Sequence, residues 1–141
     1  MVKRAYALVV ETLEPALAEQ GFTFTQWVVM MHLRDGLALN ARELCVQLRH
    51  DSGAVTRVID QLEARGLVQR ERSLEDRREV KLSLTPAGFE MIKSLMPIVL
   101  DKQNFVLRDF SSGEVADLTR LLNKFIAGFD TRGTKPEEAA S

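Results

Sequence analysis

Apolar residues recur along this chain at spacings of three and four, and once, briefly, they alternate. Tyr6, Val9, Leu13, Ala16 and Leu17 make a stripe that predicts a first helix over about 2–20, with Gly21 as its C-terminal cap. Pro15 lies inside that stripe and predicts a bend or an early end. A second helix is expected after Thr25 as N-cap, carrying Trp27, Val28, Met30, Met31 and Leu33 and stopped by Gly36. A third follows Asn40, with Glu43 three residues on as in a capping box and Leu44 and Leu48 on one side. It is too short to be stable without neighbours. A fourth helix, capped by Asp51 or Ser52, places Val55, Val58, Ile59 and Leu62 on one face and ends at Gly66.

The alternation comes next. Val80, Leu82 and Leu84 point one way and Lys81 and Ser83 the other, so 80–84 reads as a half-buried strand paired with 67–72. The intervening Ser73–Glu79 is polar except for Leu74. Two short helices joined by a tight turn, followed by a charged hairpin, are the pattern of a helix-turn-helix with a wing. Thr85-Pro86 opens a long fifth helix that runs towards Phe110, with Pro97 as an expected kink. Ser111 and Glu114 form a capping box for a sixth helix. Its seam of Val115, Leu118, Leu122, Phe125 and Phe129, widened by Leu121 and Ile126, has too few partners within one small chain and calls for a two-fold mate. The fold class is therefore mainly α with a small β-hairpin wing.

Composition narrows the function. The 141 residues are 45% hydrophobic and 28% charged, with 19 Lys and Arg against 20 Asp and Glu. That excludes a polycation and a disordered chain but leaves local charge open. One cysteine, Cys45, removes any internal disulfide and points to a reducing compartment. The N-terminal apolar run from Ala5 to Val10 is too short to span a membrane and is followed by Glu11 and Glu14, so a cytoplasmic protein without membrane attachment is expected. Cys45 and His50 sit five apart with no further Cys or His after them, and His32 stands alone, which argues against zinc. Cys45 follows Leu44 in a packing helix and reads as a small core residue rather than a nucleophile. Gly53, Gly66 and Gly88 are isolated and make no phosphate loop. No catalytic residue, metal site or cofactor is expected, and the chain does not read as an enzyme.

Between positions 42 and 81 the bases are Arg42, Arg49, Arg57, Arg65, Arg70, Arg72, Arg77, Arg78 and Lys81, interleaved with Glu43, Asp51, Asp60, Glu63, Glu71, Glu75, Asp76 and Glu79. This is no basic block. What stands out is arginine, which can bind guanine and phosphate through two bonds at once. Arg57 falls in the first turns of the fourth helix, and Arg77 and Arg78 at the wing tip, where a winged helix meets the major and minor grooves. A DNA-binding regulator follows. The alternative is a winged-helix protein-interaction module without DNA binding, which would have no need of Arg57, Arg77 and Arg78 together.

Asp76-Arg77-Arg78-Glu79-Val80-Lys81-Leu82-Ser83-Leu84-Thr85-Pro86-Ala87-Gly88 resembles the wing, second strand and helix start of the MarR transcriptional regulators. Asp76, Arg78, Leu84, Thr85 and Gly88 fit that family's pattern of D-x-R, five residues, L-T, two residues, G. The stretch from Val55 to Val68 is similar to the family's recognition helix and its exit. Thr25-Gln26-Trp27-Val28 with Leu33 resembles the SlyA branch. The resemblance runs from about Glu11 to Phe129.

It implies a winged-helix homodimer, with 1–22 and 86–130 as dimerisation helices, 23–85 as the DNA-binding part and 131–141 as a flexible tail. It also implies binding to a double-stranded operator, repression, and release by a small aromatic or phenolic ligand. By the same resemblance Ser52, Ala54, Thr56 and Arg57 face the major groove, Arg77 enters the minor groove, and Arg78 pairs with Asp76 to stiffen the wing. Gly53 stands where a bulkier residue is usual and removes one base contact. Trp27, Met31 and His32 fall near the family's ligand pocket, and Trp27 and Met31 equally suit the core. The first helix has no cysteine of the kind through which some relatives sense oxidants.

Overall fold

The computed structural model describes residues 1–76 and 78–132. Six helices and two strands follow in the order α1 (Val2–Glu19), α2 (Phe24–Asp35), α3 (Ala41–Leu48), α4 (Ser52–Ala64), β1 (Val68–Arg72), β2 (Val80–Leu84), α5 (Pro86–Val106) and α6 (Ser112–Arg132). The mainly helical architecture with a two-stranded antiparallel wing is the one the residue pattern predicts. The chain forms two compact units, Met1–Lys102 and one that begins at Gln103.

In the larger unit one core gathers Leu13 and Leu17 from α1, Trp27, Val29 and Met30 from α2, Leu44 from α3, and Val55, Ile59 and Leu62 from α4. Val68, Leu82 and Leu84 from the hairpin and Ile92, Leu95 and Val99 from α5 complete it. Only the C-terminal part of the α1 stripe joins; Tyr6 and Val9 stay exposed. Pro15 does not end α1, which runs on to Glu19. The proline removes one backbone donor, and the burial of Leu13, Ala16 and Leu17 around it outweighs that loss. Pro97 likewise lies within a continuous α5.

The helix starts refine the sequence reading. α2 begins two residues earlier than expected, capped by Thr23, whose Oγ1 accepts the Gln26 N–H at 3.1 Å while Gln26 Oε1 accepts the Thr23 N–H at 3.0 Å. This reciprocal pair satisfies two donors where Thr25 would satisfy one. Asp51, not Ser52, caps α4, its Oδ1 accepting the Ala54 N–H at 2.7 Å. α5 ends at Val106, short of Phe110, because turns closed by Phe110 N–H on Leu107 O lead into the Ser111 cap. In the second unit that cap is formed in both directions, Glu114 N–H to Ser111 Oγ at 3.1 Å and Ser111 N–H to Glu114 Oε2 at 2.9 Å. Its helix α6 leaves Leu121, Leu122, Phe125, Ile126 and Phe129 exposed. Thr131 and Arg132, placed in the tail by the sequence reading, continue α6; residues 133–141 lie outside the described residues.

The tightest junction joins the exit of α4 to the entry of α5. Gly66 turns the chain with φ of 73°, and Thr85 Oγ1 donates to its carbonyl at 2.6 Å. The Thr85 N–H donates to Leu67 O at 3.0 Å, and Thr85 Oγ1 also accepts the Gly88 N–H at 3.0 Å as the cap of α5. Gly88 is buried directly against Leu67, where a Cβ would collide with the Leu67 carbonyl oxygen. Gly88→Ala is expected to force backbone apart and lower stability by about 1–3 kcal/mol or more. A thermal unfolding midpoint equal to that of the wild type would reject this close approach.

Candidate nucleic-acid interface

The segment between α3 and α4 is three residues, Arg49, His50 and Asp51, and it brings the two helices together through Leu44, Val55 and Ile59 in the common core. With Val55, Ile59 and Leu62 facing inward, the outer face of α4 is formed by positions spaced three and four apart: Gly53, Thr56, Arg57 and Asp60, all exposed. Ser52 is exposed at the helix start. Ala54 is half-buried and lines, with Arg57, His50, Val58, Thr25 and Glu14 among others, a cleft of about 320 Å³ between α4 and the first two helices. Of the predicted major-groove residues, Ser52, Thr56 and Arg57 are thus presented outward from the N-terminal half of α4, and Ala54 sits at its edge.

Three sets of contacts fix the C-terminal half of this helix and its C-cap. Buried Gln26, whose Oε1 already caps α2, donates through Nε2 to Gln61 Oε1 at 2.9 Å. Arg65 Nη1 donates to Gly21 O at 2.6 Å, with its guanidinium 3.9 Å from the centre of the Phe22 ring. Arg70 on β1 bridges back to Asp60 at 2.7 Å and Glu63 at 3.0 Å. The hydrogen bond that Arg70 donates to Asp60 is the main cause that raises the Arg70 pKa above its ordinary value, aided by the charges of Glu63 and Asp60 and opposed by partial burial. Arg65 and Arg70 therefore belong to the scaffold, a division of labour that their presence among nine bases did not reveal.

The wing root is tied to the start of α3. The Leu82 N–H donates to Leu39 O at 2.8 Å, and the Leu39 N–H donates to Glu43 Oε2 at 2.6 Å. Buried Asn40 does two jobs: its Oδ1 caps α3 by accepting the Glu43 N–H at 2.8 Å, and its Nδ2 donates to Glu79 Oε1 at 3.1 Å. Glu43 thus reaches one residue further back than a capping box would have it. β1 and β2 pair from Val68 with Leu84 to Arg72 with Val80. Beyond them Ser73 Oγ accepts the Glu75 and Asp76 N–H groups at 3.2 and 3.3 Å. Asp76 holds Arg78, but through the backbone: Oδ1 accepts the Arg78 N–H at 3.0 Å, and the Arg78 side chain is left exposed. The pairing expected between Asp76 and Arg78 is made as a turn-closing bond, which suits a short carboxylate two residues upstream of the amide. The Arg78 side chain instead lines, with Arg42, Asn40, Asp76 and Glu79, a groove of about 420 Å³ between the wing and α3. Arg77 lies outside the described residues.

Among the described residues, Arg42, Arg49, Arg57, Arg72, Arg78 and Lys81 are exposed and have no side-chain hydrogen bond or ion pair. Arg42, Arg49 and Arg72 were not singled out from sequence; only their position beside α4 and the wing, supplied by the fold, distinguishes them. The three candidate ligand residues sit elsewhere. Trp27 is buried in the core, Met31 packs against that core, and half-buried His32 places Nδ1 2.8 Å from Val28 O. Among the described residues no group of Cys, His, Asp and Glu is arranged to hold a metal ion, and no helix is long and apolar enough to cross a membrane.

Comparison with known proteins agrees with this geometry. The family model described as "MarR family" matches residues 20–79, from the C-cap of α1 through β1 to the turn before β2. The HTH-type transcriptional regulator MgrA of Staphylococcus aureus is 34% identical over 108 residues, covering 77% of this chain and 72% of that protein. A mutant MarR from E. coli, solved in complex with operator DNA, superposes with a TM-score of 0.73 at 27% identity, covering 88% of this chain and 89% of that one. Bordetella bronchiseptica BpsR, solved in a study of how 6-hydroxynicotinic acid regulates its DNA binding, has a TM-score of 0.72 at 27% identity with 88% and 89% covered.

Asp76→Ala should release the Arg78 amide and loosen the wing turn. Its hydrogen exchange is expected to accelerate by about fivefold, the equivalent of about 1 kcal/mol, while Asp76→Asn, which keeps an acceptor, changes it less. Unchanged exchange in the alanine variant would show that the turn closes without this bond.

Proposed function

The chain belongs to the MarR family of winged helix-turn-helix, DNA-binding transcriptional regulators, and from that membership we propose that it is a cytoplasmic, homodimeric repressor of a pseudo-palindromic operator. The observation that carries this reading is the sorting of arginines. Arg65 and Arg70 are bound into the scaffold, while the guanidiniums of Arg57 on the outer face of α4 and of Arg78 at the wing have no hydrogen bond or ion pair among the described residues. A protein-interaction module would have no use for unpaired guanidiniums on both parts of the winged helix.

Each recognition helix enters a major groove with Ser52, Ala54, Thr56 and Arg57, and two-fold symmetry sets the grooves roughly 34–36 Å apart, one helical turn. Arg77 enters the flanking minor groove, where A·T-rich DNA concentrates negative potential, and Arg78 neutralises backbone beside it. Dimerisation uses the terminal segments 1–22 and 86–130. The exposed Leu121, Leu122, Phe125, Ile126 and Phe129 support it, because a stripe of that size is unfavourable in water. Release by a small aromatic ligand near Trp27, Met31 and His32 is supported by the hydroxynicotinic acid relative. Since Trp27 is buried, such a ligand would enter by repacking the core around it. Membership of the SlyA-like branch rests on Thr25-Gln26-Trp27-Val28 and Leu33.

Two variants separate the helix from the wing. Arg57→Ala should cost about 1–3 kcal/mol per half-site and relax preference at particular base pairs. Arg77→Ala should weaken binding, shallow its salt dependence and lose preference only in flanking A·T sequence. The measurement is a titration of genomic fragments retained by the wild type, and of scrambled duplex, at two salt concentrations. Wild-type affinity in both variants would replace this reading with the interaction module.

The dimer is tested by sedimentation. Wild type should travel with twice the chain mass at micromolar concentration. Leu122→Asp, which would bury an unpaired charge, should weaken association by several kcal/mol. A monomeric wild type would reject the proposed interface.

A further inference from the structure

Arg49 is the C-cap of α3, with φ of 56° and ψ of 36°, in the left-handed region. Three other described residues have positive φ, Gly21, Gly36 and Gly66, and each stands where a helix exits: after α1, α2 and α4. At those exits the chain uses the residue without a Cβ penalty. At the exit that leads into α4 it uses arginine, one of the longest side chains, where glycine or asparagine is favoured. The left-handed residue opens the connection, in which only Arg49 and His50 separate the end of α3 from Asp51, the N-cap of α4. The fold gains nothing visible from the side chain. Arg49 is exposed and makes no hydrogen bond, ion pair or ring contact among the described residues. The nearest acid in sequence, Asp51, already accepts the Ala54 N–H. Backbone strain retained under a solvent-facing charge points to a use outside the chain.

We propose that Arg49 is a DNA phosphate-binding residue, carried by a strained turn that places its guanidinium beside the N-terminus of the recognition helix. This inference rests on the DNA-binding reading above. A phosphodiester fits better than a base edge. The turn precedes the helix and lies off the outward stripe of Gly53, Thr56 and Arg57, so when that stripe faces the groove floor the turn meets the groove wall, where phosphates lie. The strain and the charge make separable contributions, and substitution can reverse them independently.

The test compares wild type with Arg49→Gly, Arg49→Asn and Arg49→Lys in two measurements: the midpoint of thermal unfolding, and affinity for a mixed-sequence duplex across a salt titration. Glycine and asparagine should melt at or above the wild-type midpoint yet bind more weakly. Their slope of log affinity against log salt should be shallower by about 0.9 for each phosphate no longer neutralised, about 1.8 for a dimer. Lysine keeps the point charge and should keep the slope. The proposal is overturned if glycine and asparagine retain the wild-type slope, if they melt below the wild type so that the side chain serves the fold, or if lysine loses the slope as they do. Wild type that binds no duplex would instead overturn the DNA-binding reading itself, and this inference with it.

Discussion

The junction between Leu67 and Gly88 constrains everything around it. The backbone of α5 approaches the carbonyl of Leu67 so closely that no side chain fits at position 88, and Thr85 links the two strands' ends by bonding both Gly66 O and the Gly88 N–H. Because Thr85 also donates its backbone N–H to Leu67 O, the end of β2 is fixed against the start of β1 at the point where α4 has just ended. The hairpin therefore leaves the core in one direction relative to α4. Were this junction looser, the strand register would survive, but the wing would lose its fixed angle to α4.

From that junction outward, polar side chains that the core buries are each used twice. Gln26 caps α2 and reaches Gln61 on α4; Asn40 caps α3 and reaches Glu79 at the wing. A buried amide with an unmet donor or acceptor would cost more than a lost surface bond, so each of these residues specifies both a helix start and a neighbour. Among the described residues no buried side-chain polar atom is left unsatisfied. The consequence is an α4 held by α2, by the α1–α2 turn through Arg65 and by β1 through Arg70, with Gly53, Thr56 and Arg57 on its outer face left clear.

Much of this was legible in the residues. The period of three to four in Val55, Val58, Ile59 and Leu62 gave α4 and its inner face, and Val80-Lys81-Leu82-Ser83-Leu84 gave β2 to the residue, because both rest on a single core that every element shares. Thr85, Pro86 and Gly88 marked the entry to α5 through chemistry confined to four positions. What was not legible depended on partners distant in sequence or on competition between neighbours. Thr23 outcompeted Thr25 as the cap of α2 because only Thr23 has Gln26 at the reciprocal position. Pro15 did not end α1 because burial of flanking side chains, invisible to local propensity, outweighs one missing donor. Arg70 stood undistinguished among nine bases until the hairpin brought it to Asp60 and Glu63, and Arg49 carried no mark of its left-handed turn.

The near balance of charge in the winged helix is resolved by geometry. Between positions 42 and 81, Glu43, Asp51, Asp60, Glu63, Glu71, Asp76 and Glu79 each accept a hydrogen bond from the protein itself. They cap helices, close the wing turn and anchor the hairpin, so their carboxylates are directed along the scaffold. Of the bases in the same stretch, Arg65 and Arg70 are so engaged, and the other described ones project into solvent. A carboxylate is an acceptor with several lone pairs and suits backbone N–H groups at caps and turns; a guanidinium offers only donors, which a folded backbone rarely needs at its surface. Acids are thereby drawn into the scaffold and arginines left at its front. A segment that is almost neutral by count can in this way present a positive face to a polyanion without the self-repulsion that a basic block would impose on the fold.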